Sequence, residues 1–79
     1  MAAPSNAPLT AGTEIAPYQI EPGMRIAVTL RNESRLALTA SRRMKEHRGA
    51  TWSIAGYRIG DGKHWRLDGD DIDRILSLG

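Results

Sequence analysis

The chain contains no cysteine, so neither a disulfide nor a thiolate metal site can staple it. That composition is compatible with a reducing compartment, and the expected location is cytoplasmic. Phenylalanine is also absent, and the aromatics are limited to Tyr18, Trp52, Tyr57 and Trp65. A core must therefore rest on Ile, Leu and Val, with the two tryptophans as its largest members. No apolar run approaches the ~18 residues that a membrane-spanning helix needs, and the N-terminus has no basic segment followed by an apolar one, as a secretory leader would. No membrane partner is expected.

Catalytic signatures are missing too. There is no Gly-x-Ser-x-Gly, no phosphate-cradling glycine loop and no zinc-ligand spacing. His47 and His64 stand far apart with no paired ligand pattern, and each reads as a surface or hairpin-edge histidine. Asp68, Asp70, Asp71 and Asp73 offer hard oxygen ligands, but Asp73 occupies the calcium loop's glycine position and Gly79 its closing glutamate position. Helix capping accounts for these aspartates without a metal. The expectation is a non-enzymatic protein with no cofactor and no metal.

What is present is a short chain of 79 residues, hence one domain. At this size a single core yields only a few kcal/mol of net stability, so self-assembly or docking onto a larger partner is one way to complete it. Net charge is +2, but it is unevenly distributed. Arg25 to Arg58 carries eight basic residues against Glu33 and Glu46, and from Gly60 onward five aspartates face Lys63, Arg66 and Arg74. A basic body with an acidic end can meet a polyanion on one face. The cations are densest in Arg42-Arg43-Met44-Lys45-Glu46-His47-Arg48.

Met1 to Pro17 is rich in Ala, Pro, Ser and Thr. It cannot bury enough apolar surface to offset its ordering entropy and reads as a flexible arm. The domain proper is expected from Tyr18 to Gly79. Pro22-Gly23 marks a turn. Met24 to Leu30 alternates with period two, with Met24, Ile26, Val28 and Leu30 on one face, and so reads as a half-buried strand. Arg31 to Ser34 suits a turn. Leu36, Leu38 and Ala40 then define one face of a second strand, with the basic run as its continuation or a loop. The alternative is a helix from Ser34 to Arg48, capped by Ser34 and Gly49, with Leu36, Ala40 and Met44 as its stripe. Leu38 opposes that reading, because it lies about 200° round the helix from Leu36.

Trp52 to Ile59 and His64 to Leu67 flank Gly60-Asp61-Gly62-Lys63. Asp-Gly predicts a type I′ hairpin with Ile59 opposite His64, Arg58 opposite Trp65 and Tyr57 opposite Arg66. One face then carries Trp52, Ile54, Arg58, Trp65 and Leu67, the other Ala55, Tyr57, Ile59, His64 and Arg66. A cation–π contact between Arg58 and Trp65 becomes available. Asp70 to Leu78 predicts a short helix with its carboxylates at the N-terminus and Ile72, Ile75 and Leu76 buried; a closing strand is the alternative.

The stretch Tyr57-Arg58-Ile59, Gly62 to Asp68 and Asp71 to Leu76 resembles the wing and following helix of excisionase-type winged-helix DNA-binding proteins. That resemblance implies a recognition helix ahead of the wing, where this chain has the alternating strand Met24 to Leu30. In architecture alone, a turn, an alternating strand, two hairpins and a short final element look like a small barrel of the SH3 kind, which implies no function.

The expected fold is mainly β: a small, partly open SH3-like barrel of four or five strands with a short C-terminal helix. The alternative is α+β, a βαββα winged-helix-like arrangement. The expected function is nucleic-acid binding, with DNA the first candidate, in an accessory protein suited to a phage or mobile element. Arg42, Arg43, Lys45 and Arg48 would pair with phosphates, Lys63 would add an outlying contact, and Tyr57 with Arg66 would form a stacking and charge platform. The alternative is a protein-interaction module, an assembly component or inhibitor, in which Trp and Arg anchor a protein partner.

Overall fold

The computed structural model describes residues 12–79. It contains strands β1 (Thr13–Ile15), β2 (Arg25–Leu30), β3 (Arg35–Ala40), β4 (Ser53–Arg58), β5 (His64–Asp68) and β6 (Ile72–Ser77). One-turn 3₁₀ helices sit at Pro17–Gln19 and Gly69–Asp71. The strands form one antiparallel sheet in the order β1-β6-β2-β3-β4-β5. Thus β2 to β5 are a meander, and β6 returns across the sheet to lie beside β2. No helix among the described residues is long and apolar enough to cross a membrane.

The alternation in the sequence becomes the inside and outside of the sheet. Ile26, Val28, Leu38, Ile54, Leu67, Ile72 and Ile75 are buried together on the inner face, joined by Ile20 from the segment after the first 3₁₀ turn. Burying each of the large aliphatic side chains is worth ~1.5–3 kcal/mol. Trp52 and Trp65 are half-buried against this cluster, as are Met24, Leu30, Leu36 and Met44. The tryptophans are core-packed, as their size and the missing phenylalanines require.

Ser34 to Arg48 is not helical. Arg35–Ala40 is a strand paired with β2 on one side and β4 on the other, and the basic run follows it as a loop. This removes the βαββα alternative and the winged-helix resemblance with it. The β2–β3 loop closes through Glu33 N–H to Leu30 C=O (2.8 Å), and Glu33 takes the left-handed conformation at φ 72°. The turn at Pro22-Gly23 forms as expected, with Met24 N–H on Glu21 C=O and Gly23 at φ 89°.

The C-terminal helix is also absent. Only Gly69–Asp71 is helical, for one 3₁₀ turn, and Ile72–Ser77 is a strand. The helical spacing of its apolar residues has a different origin. The ladder shifts between Thr29 and Leu30, which pair with Arg74 and Ile72, so Asp73 is an extra residue in a β-bulge. The bulge turns Ile72 and Ile75 to the same face although they are three apart. In sequence, a bulged strand and a helix look alike here.

The β4–β5 hairpin forms, but two residues out of the expected register: His64 faces Tyr57, Trp65 faces Gly56 and Arg66 faces Ala55. Asp61 is not in the left-handed region that a type I′ turn demands of its first central residue. Gly60 and Gly62 take the positive φ values instead, at 119° and 72°. The loop spans four residues, closed by Gly62 N–H on Arg58 C=O (2.9 Å) and Arg58 N–H on Lys63 C=O (2.8 Å). A slip of two keeps every side chain on its face, so the division into inner and outer residues survives the error. Arg58 turns to Asp61 at 3.5 Å, and its cation–π contact with Trp65 is not made.

The part of the expected flexible arm that is described, up to Pro17, is structured. From Thr13 the chain is strand β1, paired along β6, and Pro17–Gln19 is the first 3₁₀ turn. Residues 1–11 lie outside the described part.

Candidate nucleic-acid interface

The side chains singled out from the sequence fall into two places. Arg42, Arg43, Lys45 and Arg48 are in the loop that enters β4. Tyr57 and Arg66 are on the outer face of the β4–β5 hairpin, and Lys63 is at its tip, the far end of β4 from the loop.

Within the loop the four cations have different tasks. Arg42 is half-buried and turns inward. Its Nη2 donates to Ser53 Oγ (3.1 Å), and its Nη1 donates to the carbonyls of Arg43 (3.0 Å) and Ser53 (3.4 Å). Ser53 is completely buried. Its hydroxyl also lies 2.8 Å from Nε2 of His47. Arg42 can only donate, so the hydroxyl accepts from it. With the imidazole proton on Nδ1, the hydroxyl hydrogen is left to bond Nε2. Ser53 and His47 stand at a nucleophile–base distance, but no solvent reaches Ser53, and the arginine already occupies its oxygen. The backbone of Lys45 exchanges both hydrogen bonds with Ser53 (2.9 and 2.8 Å), which pins the loop to the start of β4. Arg42 is therefore a structural tie. Sequence reasoning assigned it to a ligand and did not find Ser53, whose small polar side chain gives no signal of burial.

Arg43 reaches Glu21 at 3.2 Å, with both side chains more than half exposed. Lys45 and Arg48 are exposed and have no ion pair among the described residues. Of the run, these two are the cations left to meet a ligand.

The outer face is organised by the ladders. Arg25 faces Thr39, Thr39 faces Tyr57 and Tyr57 faces His64, so one rung crosses four strands. Tyr57 and His64 meet edge to face with ring centres 5.0 Å apart. Tyr57 is half exposed. Arg66 is two residues along β5 from His64 on the same face, and holds Asp68 at 3.3 Å. The residues between these groups are Ala27, Ala37, Thr39 and Ala55, so the middle of the face is low and smooth. Gly56 pairs with Ala40 of β3. A Cβ there would come within 2.6 Å of the Thr39 carbonyl, which keeps that position glycine. His64 and Arg25 were not assigned a role from the sequence. Their place on this rung depends on pairings between distant strands, which no local pattern reveals.

The opposite end of the outer face is different in character. Glu14, Thr29, Arg35, Asp73 and Arg74 line a depression of about 500 Å³ on the β1-β6-β2-β3 side. Acids and bases alternate there, so it has no preference for a polyanion. The side of the face over β3 to β5, with Lys45 and Arg48 at one end and Lys63 at the other, carries the cations and both exposed rings. Among the described residues no group of acidic, histidine or cysteine side chains is placed to hold a metal. Compared with known proteins, this chain matches no family model, no curated protein and no solved structure.

Proposed function

We propose that this chain is a small SH3-like barrel that binds nucleic acid without catalysing a reaction, with DNA the first candidate, as an accessory to a larger process. The barrel reading rests on the order of elements: a four-strand meander, one 3₁₀ turn, and a last strand that returns to the first of the meander. The observation that carries the functional reading is the rung Arg25–Thr39–Tyr57–His64 with Arg66 beside it. Rings that stand exposed on a smooth sheet accept bases by stacking, and flanking cations take the phosphates. Lys45, Arg48 and Lys63 extend this cationic track beyond both ends of β4.

The test is fluorescence anisotropy with a labelled oligonucleotide of about 20 nucleotides, single-stranded and duplex, between ~50 and ~200 mM salt. Binding is expected at the lower salt and should fall steeply at the higher. Tyr57→Ala with Arg66→Ala should weaken it at both. An absence of binding at the lower salt, or binding indifferent to these two changes, overturns the proposal.

A second reading is a protein-interaction module, favoured by the exposure of Tyr57 and Ile59, at 50% and 41%, next to arginines. Exposed aromatics flanked by Arg are common interface anchors. The same double variant would then abolish capture of a protein partner, while nucleic-acid titrations with the natural chain stay flat at low salt.

A further inference from the structure

We infer that strand β5 is a self-complementary edge, and that two copies of this chain join through it in antiparallel fashion into one continuous sheet. The inference does not depend on the nucleic-acid reading. Among the described residues, strand β5 is the last of the sheet and has β4 as its neighbour on one side only. The hydrogen-bonding rungs fix which of its backbone groups face outward. Arg58 N–H bonds Lys63 C=O and Gly69 N–H bonds Trp52 C=O. In that phase Trp65 and Leu67 direct their N–H and C=O groups toward β4, and His64, Arg66 and Asp68 direct theirs away from it. Among the described residues, no backbone hydrogen bond outside the strand ladders involves these three.

Natural edges are usually blunted by proline, a bulge, exposed or inward charges or extreme shortness; the charges that β5 carries, Arg66 and Asp68, are of opposite sign. The opposite edge, β1, is three residues long. Strand β5 has five residues, no proline and no bulge. Its side chains also select a partner. When two copies of β5 run antiparallel about a two-fold axis, three registers are available. An axis at Arg66 sets Arg66 against itself. An axis at Trp65 sets His64 against Arg66. The first also faces His64 with Asp68, but only by bringing the two Arg66 together, and neither sets Arg66 against a carboxylate. An axis at Leu67 sets Arg66 against Asp68 of the second copy, twice, and these are the residues whose N–H and C=O groups face outward. Backbone pairing and charge pairing thus coincide in one register. Trp65 then falls opposite Gly69 of the second copy, over which that copy's own Trp52 and Thr51 are packed. Such opposite-charge cross-strand pairs favour pairing, and like charges oppose it.

One short strand per copy buries less than a stable complex of about 1,200–2,000 Å², so the association is a concentration-dependent equilibrium. The test is sedimentation of the full chain over a wide concentration range, with amide exchange followed by NMR on the same samples. The mass should rise from monomer toward dimer with concentration, and the amides of Arg66 and Asp68 should become protected in step with it. Arg66→Asp alone and Asp68→Arg alone should each remain monomeric, because each sets like charges together. An equimolar mixture of these two variants should recover the dimer, an outcome that a change in monomer stability cannot produce. Arg66→Pro provides an independent check: proline is tolerated at an edge position whose N–H faces solvent, so the chain should fold and stay monomeric. A natural chain that is monomeric at every concentration overturns the inference, as does a dimer indifferent to both charge changes. So does protection of those amides that is independent of concentration, since the edge would then be covered by the chain's own N-terminal residues. Protection that appears only on adding oligonucleotide also overturns it.

Discussion

The loop from Ser41 to Thr51 and the outer face of the β4–β5 hairpin hold the two sets of basic and aromatic residues, and they use them differently. In the loop, the density of charge along the chain does not survive folding. Arg42 goes to a buried serine and to backbone carbonyls, Arg43 to Glu21, and among the described residues only Lys45 and Arg48 remain open. On the hairpin, residues far apart in sequence converge. Arg25, Thr39, Tyr57 and His64 come from four strands to make one rung. Density of charge along the chain is thus a poor guide to which cations stay open after folding.

The largest effect expected from this contrast falls on stability. Arg42→Ala removes charge-assisted bonds to Ser53 and leaves its buried oxygen short of a donor. A bond to a charged group is worth ~1.5–3 kcal/mol, so urea denaturation should report a loss of about 2–3 kcal/mol. If Arg42→Ala instead left stability unchanged and lowered oligonucleotide affinity, the loop would be a ligand site after all. Next comes Tyr57→Ala, with the opposite signature. Stacking of one base contributes ~1–3 kcal/mol, so affinity should fall roughly 5- to 150-fold, with a thermal midpoint close to that of the natural chain. A large drop in the midpoint would mean that Tyr57 supports the sheet and does not act mainly as a platform.

These assignments also define how far the sequence could be read. The inner face was legible, because Ile26, Val28, Leu38, Ile54 and Leu67 follow the period of two and all lie inside. The hairpin faces were legible despite the wrong register, because an even slip conserves them. The last strand was not. Its bulge at Asp73 gives Ile72 and Ile75 a helical spacing, and bulges arise from pairing with a distant strand. The site divides in the same way. Tyr57 and Arg66 share a face by local alternation, so they could be found. The inward turn of Arg42 depends on Ser53 across the loop, and Arg25 and His64 join the rung only through β3 and β4.

Smaller effects separate the two open cations of the loop from its structural arginine. Lys45→Ala combined with Arg48→Ala should leave the denaturation midpoint unchanged, since exposed substitutions fall within about 0.5 kcal/mol. In oligonucleotide titrations the slope of log K against log salt should become shallower by about 0.9 for each phosphate contact removed, hence by less than 2 in total. An unchanged slope would confine the interface to the hairpin face and remove the loop from it.

The smallest effect is expected at Arg43, which makes it the sharpest control. It is adjacent to Arg42 in sequence and carries the same charge, so a reading by charge density treats the two alike. The structure separates them. The Arg43–Glu21 pair spans 3.2 Å between side chains that are 64% and 58% exposed. Such a pair contributes ~0–1 kcal/mol, because solvent and salt screen it and both side chains lose freedom in forming it. Among the described residues its guanidinium is also the one cation of the run already paired with a carboxylate, so a phosphate would have to displace Glu21 to use it. Arg43→Ala is therefore expected to lower stability by under 1 kcal/mol and to change the salt slope by less than one phosphate contact. Glu21→Ala reverses the logic. With the carboxylate gone, Arg43 is free to join Lys45 and Arg48, and affinity for a polyanion should rise modestly at low salt and return to the natural value at high salt. A loss of affinity on Arg43→Ala comparable to that on Tyr57→Ala would break the division between loop and face, because a paired, screened cation would then be carrying as much of the contact as the aromatic platform.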